Sequence, residues 1–175
     1  MVIIINGPSC AGKTSISQEI CVRTGGSFVH VQVDQAKQYM FTILDRASTS
    51  PEVGRHICDT ILLSTAKVFL EHGKNVVIDT TFDSDDAVKI AKRHINFFGS
   101  TKVLFVGIDC STQERLRRFK QNNNNPVRNE RTIIAQADVF ERNKDFYDAS
   151  FDSSIMDAGQ IATNILNYID IYCTQ

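Results

Sequence analysis

The run Gly7-Pro8-Ser9-Cys10-Ala11-Gly12-Lys13-Thr14, set directly behind the apolar stretch Val2 to Ile5, constrains this chain more than any other feature. Its spacing is Gly-x-x-x-x-Gly-Lys-Thr. A strand precedes it and a helix opens at Ser15, which is the context that makes this pattern a phosphate-binding loop. Gly7 and Gly12 permit backbone shapes and close approaches that a Cβ would block. Successive backbone N–H groups and the positive end of the following helix form a cradle for phosphate oxygens. Gly7 through Ser15 are therefore the expected nucleotide-contacting residues. Lys13 is expected to reach the β- and γ-phosphates, and the Thr14 hydroxyl to ligate Mg²⁺.

The rest of the chain alternates apolar runs with helical periodicity. Phe28 to Val33 reads as a second strand ending at Asp34, followed by a helix from about Gln35 to Arg46. Ile57, Ile61, Leu62, Thr65, Val68 and Phe69 form a helical stripe that stops near Gly73. Asn75 to Asp79 and Val103 to Asp109 read as further strands. Asp83 to Asp86 start a helix with Ala87, Ile90, Ala91, His94, Ile95 and Phe98 on its inner face. Ser111 and Glu114 form a candidate capping box for the next helix. Another helix is expected from about Glu130 to Asp148, an edge strand at Ser150 to Ile155, and a last helix carrying Ile161, Ala162, Ile165, Leu166, Ile169 and Tyr172. This alternation predicts an α/β fold, a parallel sheet in three layers, organised as one domain over residues 1–175.

Composition excludes several classes. With 42% hydrophobic and 22% charged residues the chain has an ordinary globular make-up, and a net charge of −1 supplies no general field for nucleic acid or anionic membrane. The five cysteines, Cys10, Cys21, Cys58, Cys110 and Cys173, are odd in number and contain no C-x-x-C, so neither a zinc site nor a disulfide framework is expected. No apolar segment approaches the ~18 residues of a membrane span. With no signal-like segment either, a cytoplasmic location is expected.

In open parallel sheets, ligands bind beyond the carboxyl ends of the strands. Those ends are Asn6-Gly7, Asp34, Asp79 and Asp109. No Asn-Lys-x-Asp guanine signature is present, so the reading is transfer from ATP rather than a guanine switch. Transfer needs a clamp on the phosphates, Mg²⁺, and a base for the acceptor hydroxyl. Asp34 is the candidate base, and also a candidate N-cap. Asp79 ends an apolar run in the manner of a Walker B carboxylate, a candidate for holding Mg²⁺ with Thr14 or for orienting the acceptor. Asp109 ends a similar run and has a helix-capping alternative. Between residues 115 and 131 lie Arg115, Arg117, Arg118, Lys120, Arg128 and Arg131, flanking the loop Asn122-Asn123-Asn124-Asn125-Pro126. This reads as a mobile lid, with Arg118, Arg128 and Arg131 as candidates for stabilising charge on the transferring group. The four histidines show no ligand spacing, and His94 reads as a core residue.

The phosphate loop behind Ile3 to Ile5, the strand ending Val33-Asp34 before Tyr39-Met40, and Val76-Val77-Ile78-Asp79 together resemble the chloramphenicol phosphotransferase family. So do Val103 to Gly107, and Tyr147-Asp148 with Asp152-Ser153-Ser154. That family belongs to the P-loop small-molecule kinases. The resemblance implies ATP- and Mg²⁺-dependent phosphorylation of a small-molecule hydroxyl with Asp34 as base, and a five-stranded sheet in the order 2-3-1-4-5. The Asn-rich segment departs from the Gly-Asp-Arg type of loop in that family. The alternatives are a nucleotide or polynucleotide 5′-hydroxyl kinase, the near-zero charge arguing against a polynucleotide acceptor, and a nucleotide-binding regulator or toxin-like effector.

Overall fold

The computed structural model describes residues 1–43, 50–82, 87–121 and 129–173. Its centre is β1 (Val2–Asn6), where Val2, Ile3, Ile4 and Ile5 are wholly buried. Such a run has no solvent side, so helices must cover both faces of the sheet. β1 pairs in parallel with β3 (Asn75–Thr80) on one side and with β4 (Val103–Asp109) on the other. β2 (Phe28–Gln32) and β5 (Ala149–Asp152) close the edges, giving the order β2-β3-β1-β4-β5 that the resemblance implied.

Alternation along each strand sorts the core into two layers. Ile3, Ile5, Phe28, Val77, Leu104, Val106 and Ile108 point to one face. There they meet Ile16 and Ile20 of α1 (Lys13–Arg23) and Ile161, Ala162, Ile165 and Ile169 of α7 (Ala158–Cys173). Val2, Ile4, Val31, Val76, Ile78 and Phe105 point to the other. Ala36 of α2 (Val33–Ile43), Leu62, Leu63 and Ala66 of α3 (Pro51–Glu71), and Ala87, Ile90 and Ala91 of α4 (Ala87–Phe97) cover them. Each fully buried Ile or Leu contributes about 1.5–3 kcal/mol of transfer free energy. His94 is a core residue, as expected: it is wholly buried, edge-on to Phe82 and 3.4 Å from Asp59.

Several element ends differ from the sequence expectation. β2 stops at Gln32 and α2 begins at Val33, because the Val33 side chain packs onto the core; Asp34 therefore lies in the first turn of a helix, not at its N-cap. α6 (Glu130–Arg142) ends six residues early. A 3-10 turn at Lys144–Phe146 follows, letting Phe146 and Tyr147 tuck under Phe105. β5 ends at Asp152, where the Asp152 carboxylate takes the Ser154 N–H and turns the chain. At α5 (Thr112–Gln121) only half of the capping box forms. The Ser111 hydroxyl accepts from the Glu114 N–H, but the Glu114 carboxylate turns to Arg117 and Arg118 instead. The expected helix start at Asp83 to Asp86 lies outside the described residues. Among the described residues, no helix is long and apolar enough to cross a membrane.

Candidate active site

The phosphate loop leaves β1 at Asn6 and ends where α1 begins. Its two glycines serve different purposes. A Cβ on Gly7 would stand 2.3 Å from the Ile108 carbonyl oxygen, so Gly7 is required by the close approach of β4. Gly12 has φ 84, in the left-handed region, and turns the chain into α1. Cys10 also has positive φ, 66, at a cost of about 1–2 kcal/mol for a residue with a side chain. That conformation persists because neighbours over-determine the loop.

Four contacts do so. The Lys13 ammonium donates to the carbonyls of Gly7 and Pro8, each at 2.9 Å, which centres a buried positive charge over the loop. The Ser153 hydroxyl, in the turn after β5, donates to the Ala11 carbonyl at 2.8 Å. Arg118 reaches from α5 to the Cys10 carbonyl at 3.3 Å and to the Ser153 carbonyl at 2.6 Å, while Glu114 holds its Nε at 2.8 Å. From α6, the buried Gln136 side chain accepts the Ser9 N–H at 2.8 Å.

Thr14 and Asp79 converge. The Thr14 hydroxyl donates to Asp79 Oδ2 at 2.6 Å. A hydroxyl that gives its proton to a carboxylate keeps its lone pairs for a cation. Burial pushes the Asp79 carboxyl up, but His30, Thr14 and Lys13 together bring it below its ordinary value, so it is ionised at neutral pH. Among the described residues no three His, Cys, Asp or Glu side chains gather as a metal cage. A hydroxyl and one carboxylate are the hard-oxygen donors that suit Mg²⁺, which keeps its waters and leans on phosphate oxygens. The loop and this pair thus fit a Mg²⁺-nucleotide.

The other candidates fall differently. Asp109 is exposed and its carboxylate takes the N–H of the adjacent Cys110, so it joins neither Thr14 nor the Ser111 cap. Asp34 is exposed and pairs with Lys37 at 3.6 Å, one helical turn on. The basic segment divides three ways. Arg115 is wholly buried and donates to the carbonyls of Cys110 and Ile133, pinning α5 to α6. Arg117 is exposed and paired with Glu114; with Arg118 it holds that carboxyl down at about 2. Among the described residues of this segment, Arg118 alone donates to the loop. Arg131 is exposed in the first turn of α6 and makes no hydrogen bond to the phosphate loop among the described residues. Arg128 and Asn122 to Asn125 lie outside the described residues.

Sequence reasoning missed three contributors. His30 Nε2 stands 3.2 Å from Asp79 Oδ2; its signal was parity, since Phe28, His30 and Gln32 share a face of β2. Gln136 and Ser153 carry no local signal. Asn6, noted only as a strand end, donates to the Tyr147 hydroxyl at 2.6 Å and accepts the Phe82 N–H at 2.8 Å, fixing the loop's entry to the segment after β3.

The fold is shared with solved structures of low sequence identity. The Deinococcus radiodurans tunicamycin resistance protein superposes with a TM-score of 0.69 at 11% identity, covering 97% of this chain and 95% of that one. An Acinetobacter baumannii shikimate kinase, solved with shikimate, gives 0.67 at 18% identity, covering 96% and 92%. A sugar kinase from Janibacter sp. gives 0.68 at 16% identity, covering 97% and 94%. No curated protein matches the chain in sequence. The family model of chloramphenicol phosphotransferase-like proteins matches residues 1–170, so the chain belongs to the chloramphenicol phosphotransferase-like family.

Proposed function

We propose that the protein is an ATP- and Mg²⁺-dependent kinase that transfers the γ-phosphoryl group to a hydroxyl of a small molecule. The observation that carries this reading is the convergence of Lys13, Thr14 and Asp79 on one phosphate loop, within a chain of this family. Loop amides and the Lys13 ammonium orient the β- and γ-phosphates and offset the charge that develops between them. Thr14 and Asp79 would hold Mg²⁺, which would supply positive charge to offset that of the phosphates. Arg118 adds a second fixed cation beside Cys10 and Gly12. Asp34 takes the proton of the acceptor hydroxyl as its oxygen bonds to the γ-phosphorus and the bond to the β-phosphate oxygen breaks, releasing ADP. The exposed position of Asp34 suits a base that meets its partner only when the acceptor arrives.

The test is a panel of hydroxyl-bearing metabolites and antibiotics with γ-labelled ATP. Chloramphenicol, tunicamycin, shikimate and simple sugars are included because the family and the neighbours carry those names. The expected result is a Mg²⁺-dependent phosphorylated small molecule, absent with Lys13→Ala. Label passing only to a 5′-hydroxyl oligonucleotide would replace this reading with the polynucleotide one. Mg²⁺-ATP binding without transfer to any acceptor would favour the regulator.

A further inference from the structure

We infer that His30 is a positioning residue for the Asp79 carboxylate, its Nε2 setting the orientation in which Asp79 serves Mg²⁺. This rests on the kinase reading above. His30 sits on β2, one strand away from β1, with its side chain about nine-tenths buried on the α1 face of the sheet. Its Nδ1 faces Gln32 Nε2 at 3.3 Å. An amide nitrogen carries only donors, so Nδ1 accepts and the ring N–H is the one on Nε2. That nitrogen is buried and makes no in-line hydrogen bond. Asp79 Oδ2, the oxygen that also receives the Thr14 hydroxyl, lies 3.2 Å away.

A buried ring nitrogen with no hydrogen bond of its own favours the carboxylate placement that keeps Oδ2 3.2 Å away, because turning that oxygen aside would leave Nε2 facing no acceptor and would strip Oδ2 of the Thr14 hydroxyl. The two contacts fall on the same carboxylate oxygen and come from different elements, one from β2 and one from α1. They fix the rotation of the carboxylate and leave Oδ1 for a water on the metal. The register agrees: Gln32 pairs with Asp79 and His30 with Val77, so the three polar side chains share one face of β2 and β3, with His30 diagonal to Asp79. Packing alone needs no polar pair at this point, since the neighbouring inward positions are Phe28 and Val77.

The inference is tested on the full chain by calorimetric binding of a non-hydrolysable ATP analogue, once in EDTA and once along a Mg²⁺ titration. The expected result for His30→Ala is about a tenfold rise in the Mg²⁺ needed for half-effect with binding in EDTA unchanged, the scale typical for loss of a residue that orients a metal ligand. His30→Gln, which returns a donor nitrogen at similar reach, is expected to recover most of that shift. An equal loss in EDTA and in Mg²⁺ would mean a purely structural role and overturn the inference, as would an unchanged Mg²⁺ requirement. Nitrogen NMR of the wild type supplies a readout that needs no variant. The His30 ring is expected as the Nε2–H tautomer, with that signal shifting on Mg²⁺-nucleotide addition, and a Nδ1–H tautomer would sink the idea. A wild type whose nucleotide affinity ignores Mg²⁺ would instead sink the kinase reading itself, before any variant is made.

Discussion

Asp79 near the end of β3 and Asp34 in the first turn of α2, just beyond the neighbouring β2, are two carboxylates that the protein treats in opposite ways. The Asp79 side chain is 6% exposed, and Thr14 and His30 both lie against its Oδ2. The Asp34 side chain is 52% exposed and faces a half-exposed lysine on its own helix. A buried charge has to be partnered or it is expelled, so in the proposed kinase the half of the cleft assigned to phosphate and metal is built before any ligand arrives. An exposed charge is solvated and asks nothing of its surroundings. One wall of the site is therefore preorganised, and the other waits on the acceptor.

The largest expected effects come from separating these two. Asp34→Asn should lower transfer by about 10²–10⁴-fold while nucleotide affinity stays as in the wild type, since only the proton acceptor is lost. Asp79→Asn should instead raise the Mg²⁺ requirement, by roughly 10–100-fold. Single-turnover rates beside Mg²⁺-dependent nucleotide binding distinguish the two. If both variants changed the same quantity, the contrast between a built wall and an open one would fail.

The next contrast lies inside the basic segment. Arg115 and Arg118 are three residues apart on one helix, yet one is buried structure and the other a wall of the loop. Arg115→Met should cost about 3 kcal/mol of stability, since the carbonyls of Cys110 and Ile133 lose a donor where water does not reach. For a chain of this size that lowers the melting temperature by roughly 10 °C. Arg118→Ala should leave the melting temperature nearly unchanged and raise KM for ATP about tenfold, a loss of ~1.4 kcal/mol. Arg118→Lys should not restore it, because a single ammonium cannot span Glu114, Cys10 and Ser153 at once. Calorimetric melting and initial rates check the pair.

The contiguous part of the site was legible. Eight successive residues made the loop, and four apolar ones made the strand behind it. The choice between Asp79 and Asp109 was not legible, because it depends on which face each strand end shares. Asp79 follows Val77 by two and so lies on the α1 side with Thr14, whereas Asp109 follows Phe105 and Gly107 to the opposite side and past the end of β1. The family resemblance gave the strand order, which hydropathy alone leaves open. His30, Gln136 and Ser153 stayed hidden because their partners are distant in the chain: 49, 127 and 142 residues separate them. Nothing in hydropathy told Arg115 from Arg118 either, since burial of one guanidinium was decided by where α6 crosses α5.

The smallest expected effect probes the seam between the two walls, where Asn6 joins the loop to Tyr147 and to Phe82. Burial pushes the Tyr147 phenol up, and the Asn6 N–H offsets only part of this, leaving it at about 12 against the ordinary 10.0. The folded state thus keeps a proton that the unfolded chain gives up, so this contribution to stability is full below about pH 10 and is lost as pH rises through about 12. Tyrosinate absorbance should show a late-titrating step that belongs to Tyr147, moved back to about 10 by denaturant and absent in Tyr147→Phe. The same variant strips the acceptor from the Asn6 amide and so loosens the loop's entry without touching phosphate. A modest rise in KM for the acceptor, with nucleotide affinity unchanged, would place the seam with the open wall; a change in nucleotide affinity would assign it to the built one.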